Sequence, residues 1–199
     1  MGRNIGLITG AASGIGLKTA KRLLKKGWEI YGLDNDKNGL EQSWKEIDNS
    51  NYITKPCDLR SEEALKKIFA QIQKNQQKIN ALIACAGVLK LGTLEDMSTE
   101  DFDAVFDINV RGLWLSAREA LPFLKNAASR GELSRIILLS SVSALRPKIG
   151  SGAYSASKAA VSQLTRVLSV ECAKYGITVN AIAPGTCLLY TSPSPRDSA

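Results

Sequence analysis

The chain has 199 residues, 44% hydrophobic and 23% charged, the composition of one globular domain with a full-sized core. It contains no histidine, which excludes imidazole catalysis and most zinc sites, and no apolar run approaches the ~20 residues of a membrane-spanning helix. The formal net charge of +7 is dispersed, and its densest group, Lys18, Lys21, Arg22, Lys25 and Lys26, falls where a helix turns to solvent, so no nucleic-acid partner is expected, only a mild attraction for anionic ligands.

In chain order, Met1-Gly2-Arg3-Asn4 passes straight into a strand over Ile5 to Thr9, with no signal peptide expected. A helix is predicted from Gly14 to Lys26, a strand from Glu29 to Leu33, a helix from Asn38 to Ile47 and a strand from Asn51 to Pro56. Next come a helix over Glu62 to Asn75, a strand over Ala81 to Cys85, and a long helix over Thr99 to Ala127, broken near Asn109. Ser61 before Glu62 and Glu63, and Ser98 before Glu100 and Asp101, are helix starts. A strand over Arg135 to Ser140, a helix over Tyr154 to Lys174 and a strand over Thr178 to Ala183 complete the order. Cys57, Cys85, Cys172 and Cys187 show no paired spacing and read as free thiols of a cytoplasmic protein.

Apolar strands alternating with amphipathic helices imply a parallel sheet covered on both faces, an α/β doubly wound (Rossmann) domain with six strands present. Ligands of such sheets bind beyond the carboxyl ends of the strands. The distinctive residues fall there: Gly10 to Gly16 after the first strand, Asp34 after the second, Asp58 and Leu59 after the third, Ala86-Gly87 after the fourth, Ser141 after the fifth and Pro184-Gly185 after the sixth.

Within Thr9-Gly10-Ala11-Ala12-Ser13-Gly14-Ile15-Gly16, glycines permit a tight turn and let a pyrophosphate approach the N-terminus of the first helix. Gly10, Ser13, Gly14, Ile15 and Gly16 are the expected phosphate cradle. Asp34, 18 residues after Gly16, is placed to accept hydrogen bonds from adenosine ribose hydroxyls and to repel a 2'-phosphate, which favours NAD over NADP; it also reads as a plain turn aspartate. Asp58 reads either as an adenine contact or as a helix cap ahead of Ser61.

Tyr154 and Lys158 are four residues apart, one helical face. A free phenol titrates near pH ~10, and a unit charge about 4 Å away at an effective dielectric of ~20 is worth about 4 kcal/mol. An ammonium so placed brings phenolic proton exchange toward neutrality. The spacing alone also describes an ordinary helix-surface contact, so its meaning depends on its neighbours.

Those neighbours supply a resemblance. TGAASGIG, LLSSVSA, YSASK and NAIAPG occur in the order and spacing of the short-chain dehydrogenases/reductases, and the chain resembles the conventional Rossmann type of that family from about residue 3 to 186. The resemblance implies an oxidoreductase that moves a hydride between NAD(H) and a small alcohol or ketone, in a cytoplasmic homo-oligomer, dimer or tetramer. It implies Tyr154 as proton donor or acceptor at the substrate oxygen, Lys158 as the ribose-binding residue that lowers the phenol's pKa, and Ser141 as the holder of that oxygen. Asn109 looks like the family's helix-breaking asparagine, which positions a water linking Lys158 to solvent. Ala86, Gly87, Pro184 and Gly185 would border the cofactor. Ser140 and Ser143 read as structural. A nucleotide-binding or regulatory protein on the same fold is the alternative, as is an inactive fragment.

Two departures stand out. The family's common Asn-Asn-Ala-Gly is Ala84-Cys85-Ala86-Gly87, which forfeits amide hydrogen bonds while retaining the small residues. After Pro184-Gly185-Thr186 the chain reads Cys187-Leu188-Leu189-Tyr190 and a Pro/Ser-rich end, with Leu189 where the family often has a threonine on the nicotinamide amide. That tail resembles translated sequencing-adaptor DNA. Residues 1–186 are therefore expected to form the NAD-binding domain with its catalytic site, truncated at the C-terminal side, and 187–199 a non-native tail. Segments Ala86 to Lys90 and Arg146 to Gly150 look similar to the dihydrodihydroxybenzoate dehydrogenases, in which case Lys90 or Lys148 would meet a substrate carboxylate; both also read as solvated lysines. Carrier-protein reductases and polyol dehydrogenases remain open alternatives.

Overall fold

The structure, a computed structural model, describes residues 2–146 and 148–185. Six strands, β1 (Ile5–Thr9), β2 (Glu29–Asp34), β3 (Tyr52–Pro56), β4 (Ala81–Ala84), β5 (Arg135–Leu139) and β6 (Thr178–Ile182), form one parallel sheet in the order β3-β2-β1-β4-β5-β6. Chain order reverses between β1 and β4, the switch point at which such sheets open a crevice. The doubly wound α/β architecture expected from the alternation is the one observed.

Alternation along each strand divides the core in two. Leu7, Leu33, Leu82, Ile136 and Leu138 face one side, packing with Leu65, Phe69, Leu113, Phe123 and Leu168 of helices α3 (Glu62–Asn75), α5 (Leu113–Ser129) and α6 (Gly152–Ala173). Ile8, Ile30, Ala81 and Ile83 face the other, against Ala20 and Leu24 of α1 (Gly14–Leu24) and Leu40 of α2 (Lys37–Ile47). At about 1.5–3 kcal/mol for each large side chain fully buried, this two-faced burial is what holds the crossovers on the sheet.

Several boundaries move by one or two residues, and two of these shifts have a clear local setting. The first helix ends at Leu24 rather than Lys26, because Gly27 at φ +80° closes the turn through its N–H to the Leu24 carbonyl. The last begins at Gly152, two residues before Tyr154, just after Ser151 pairs with Gly92 in an isolated parallel bridge.

The expected break at Asn109 is instead a widening. Helix α4 (Thr99–Phe106) runs through a π-helical turn, Asp107–Gly112, directly into α5. A single π turn of this kind holds one extra residue, and such turns recur at functional sites. No described helix is long and apolar enough to cross a membrane. The expectations for Pro147, Thr186, Leu189 and the tail lie outside the described residues.

Candidate active site

The glycine loop is built by close approach of backbone to backbone. Gly10 has φ +70°, and a Cβ there would lie 2.8 Å from the Ala86 nitrogen. A Cβ on Gly16 would lie 2.0 Å from the Gly10 carbonyl oxygen. Gly16→Ala therefore forces the turn apart, and overpacking of this kind costs about 1–3 kcal/mol. A fall of several degrees in melting temperature is expected, since each kcal/mol is worth about 2–4 °C at this chain size; calorimetry showing an unchanged transition would contradict the packing just described.

Ser13 precedes α1 in extended conformation, its side chain capping nothing, and the first turn holds no acidic residue. By contrast Asp36, Ser61 and Ser98 accept the N–H groups of Gly39, Ala64 and Asp101 and so cap α2, α3 and α4. The free amides and dipole at the start of α1 favour an anion.

Asp34 is the turn aspartate that one of its two readings expected. Its Oδ2 accepts from the Ala12 N–H at 3.0 Å and its Oδ1 from the Asp36 N–H at 3.1 Å, so it ties the glycine loop to the entry of α2 while still bordering the cavity. Asp58 does not cap α3, which Ser61 does. Its Oδ1 accepts from the Arg60 amide at 2.9 Å, and its Oδ2 pairs with the Arg60 guanidinium at 2.8 Å, which holds the carboxyl below its usual pKa.

At the other end of the rim, β5 delivers two serines. Ser140 is buried, and its hydroxyl lies 2.9 Å from the Lys158 carbonyl oxygen and 2.7 Å from Ser162 Oγ, which pins α6 to the sheet. Ser141 accepts from the Ser143 N–H at 3.1 Å and opens a short 3-10 turn, Val142–Ala144. Its own hydroxyl donates to no other described residue, and Ser141 borders the cavity.

Tyr154 and Lys158 share one face of α6, with Lys158 Nζ 5.7 Å from the centre of the Tyr154 ring. Lys158 is only 4% exposed and donates to the Leu139 carbonyl at 2.8 Å. Burial pulls its pKa down from 10.5 to about 8, an effect that the nearby Cys85 partly opposes. Burial pushes the Cys85 thiol up to about 12, so it stays protonated beside the lysine.

Asn109 is fully buried, and its amide is spent on the protein. Oδ1 accepts from the Val88 N–H at 2.8 Å, while Nδ2 donates to the Val88 carbonyl and to Ser157 Oγ, each at 3.0 Å. Its side chain thus braces the loop after β4 against α6, one residue before Lys158. It does not itself border the cavity, although Ile108 beside it does.

The other predicted residues converge. Gly10, Ser13, Gly14, Ile15 and Gly16, then Asp34, Asp58, Leu59, Ala86 and Gly87, then Ser141, Tyr154, Lys158, Pro184 and Gly185 all line one cavity of about 630 Å³. That volume suits a bound organic ligand. Cys57, Cys85 and Leu139 line it too; their positions at the carboxyl ends of strands were the signal that could have marked them. Lys90, half-exposed, pairs with Asp101 at 2.9 Å, and Lys148 is exposed.

The family model for short chain dehydrogenases matches residues 4–193. The chain belongs to that family. Members are pyridine-nucleotide-dependent oxidoreductases. The 2,3-dihydro-2,3-dihydroxybenzoate dehydrogenase of Bacillus subtilis (strain 168) is 32% identical over 184 residues, covering 92% of this chain and 69% of that protein. The 3-oxoacyl-(acyl-carrier-protein) reductase of Rickettsia bellii is 35% identical, covering 90% and 70%, and the NAD-dependent glycerol dehydrogenase of Listeria innocua is 35% identical, covering 92% and 70%. Among solved structures, 3-ketoacyl-(acyl-carrier-protein) reductase from Brucella melitensis complexed with NADH aligns with a TM-score of 0.86 at 32% identity, over 92% of this chain and 75% of that one. The short-chain dehydrogenase cradle fits a dinucleotide on its own chemistry, because the uncapped start of α1, with no acidic residue in its first turn, lies among the glycine-loop residues that line the cavity.

Proposed function

We propose that the protein is an NAD-dependent oxidoreductase that interconverts a small alcohol and its carbonyl compound, with Tyr154 as the acid and base. The observation that carries this reading is one cavity shared by an uncapped helix start, Asp34, Ser141, Tyr154 and Lys158. Gly10 to Gly16 hold the pyrophosphate, Asp34 the adenosine ribose, Asp58 and Leu59 the adenine, and Ala86, Gly87, Pro184 and Gly185 the nicotinamide half. When bound, the nicotinamide supplies or takes the hydride.

The protein's own groups handle the proton. During reduction, negative charge grows on the substrate oxygen, and Ser141 offers its free hydroxyl proton there as a hydrogen bond. Tyr154 delivers its proton to the same oxygen, and in the oxidative direction takes it back. Lys158, charged below about pH 8, holds the nicotinamide ribose hydroxyls. Asn109 acts through Val88 and Ser157, keeping Lys158 and the β4 loop in register.

Asp34 supports NAD over NADP, since a 2'-phosphate would meet a carboxylate. Phe102, Trp114, Val167 and Val170 stay exposed on α4, α5 and α6, which supports a homo-oligomer, and we place the protein in the cytoplasm. The domain is assigned to residues 1–186, with 187–199 a non-native tail; sequencing genomic DNA beyond the Thr186 codon tests that assignment, and a natural stop codon after this tail would refute it. The function is tested by following NADH and NADPH oxidation with a panel of ketones, 3-oxoacyl thioesters and ketoses. Turnover with NADH at least tenfold above NADPH, on the order of one ion-pair's discrimination, is expected. Binding of neither nucleotide would reject the reading.

A further inference from the structure

We infer that Arg111 is a positioning residue for the reaction proposed above, holding the π turn that carries Asn109 against the loop that carries Asp58 and Leu59. The inference rests on that reading of the site. A π turn departs from the α-helical hydrogen-bond ladder, so its shape depends on what grips it from outside. On the side of Lys158 the grip is Asn109, with two bonds to Val88 and one to Ser157. On the far side it is Arg111, whose Nη1 donates to the Arg60 carbonyl at 2.7 Å across 51 residues of sequence.

The next residue makes the same contact by shape. A Cβ on Gly112 would lie 2.9 Å from Leu59 Cβ and 3.1 Å from the Leu59 carbonyl oxygen, so the helix rests directly on the loop after β3. The charged form of Arg60 is favoured chiefly by its hydrogen bond to Asp58, and only in small part by Asp107, the first residue of the turn. The π turn is therefore gripped on two sides, by the loop of Asp58 and Leu59 and by α6 one residue before Lys158, and those three residues border the cavity together with its own Ile108.

Arg111 itself is exposed, and the bond that it makes can be replaced by water at the Arg60 carbonyl. Its removal leaves the core intact and frees the register of the turn. Asn109 and, through Ser157, the start of the Lys158 turn then lose their fixed reference.

The test compares the full chain with Arg111→Ala, Arg111→Gln and Arg111→Lys. NADH affinity is followed by fluorescence titration from pH 6 to 10, and turnover by NADH oxidation with the carbonyl compound that the unaltered chain reduces fastest. Arg111→Ala and Arg111→Gln are expected to lower kcat about tenfold, inside the roughly hundredfold that a misplacement of about 1 Å can cost. They should also shift the alkaline limb of the NADH-affinity profile, with Arg111→Lys, which keeps a donor, restoring most of both. Either variant keeping the kcat and the pH profile of the unaltered chain overturns the inference alone, whatever its melting temperature. Failure of the unaltered chain to bind NADH overturns the proposed function and this inference together.

Discussion

Replacing Tyr154 by phenylalanine is expected to lower kcat by about 10²–10⁴-fold, the range that a positioned proton donor contributes, while NADH affinity stays within about twofold, as for loss of an interaction made in the transition state. The physical ground is economy of contacts. The Tyr154 hydroxyl makes no hydrogen bond to another described residue, so removing it breaks no internal network. Its ring keeps its place on α6 above Lys158. Stopped-flow comparison of NADH binding and single-turnover reduction separates the two quantities. A phenylalanine variant with unaltered turnover would remove Tyr154 from the mechanism, and one that no longer binds NADH would make it a binding residue instead.

Replacing Lys158 by methionine is expected to stabilise the fold at pH 7 and abolish NADH-linked turnover. The lysine is charged and nearly fully buried, with one hydrogen bond from its ammonium among the described residues, to the Leu139 carbonyl. A pKa lowered from 10.5 to about 8 corresponds to a penalty of about 3 kcal/mol at 1.36 kcal/mol per unit. Losing the bond to Leu139 returns about 1 kcal/mol of that, leaving a net gain of about 2 kcal/mol, or a rise of about 4–8 °C in melting temperature.

The sign with pH follows from linkage. Because the folded pKa is depressed, the unfolded chain binds more protons between about pH 8 and pH 10.5, so native stability rises with pH across that window. The penalty is complete below about pH 8 and gone above 10.5. The advantage of the methionine variant should accordingly shrink between pH 7 and pH 9.5. Urea melts at the two pH values measure it, and an advantage that does not change with pH would assign the effect to packing. A charge kept at such a cost points to function rather than stability.

Lys158 also shows where sequence reading stops. Its spacing from Tyr154 was legible because four residues on a helix put two side chains on one face whatever the rest of the protein does. The partner that fixes its ammonium is a backbone carbonyl, of Leu139, on a strand 19 residues away; a carbonyl has no side-chain signature. Asp34 was legible both as a ribose acceptor and as a turn aspartate, and the structure makes it the tie between the Ala12 and Asp36 amides. Asp58 was read as an adenine contact or a cap, and neither reading included its pairing with Arg60, since a salt bridge within a turn depends on how the turn closes.

The order of strands and helices, the two-sided core, the glycine loop and the convergence of the motifs on one rim followed from local pattern alone. Each depends on periodicity, or on residues that only one backbone geometry accepts, and both are written within a few positions of chain. The π turn at Asn109, the grip of Arg111 on the Arg60 carbonyl and the protonated Cys85 beside Lys158 were decided only in three dimensions. They arise where segments distant in sequence are pressed together, and there burial and backbone polarity, which no spacing encodes, set the outcome.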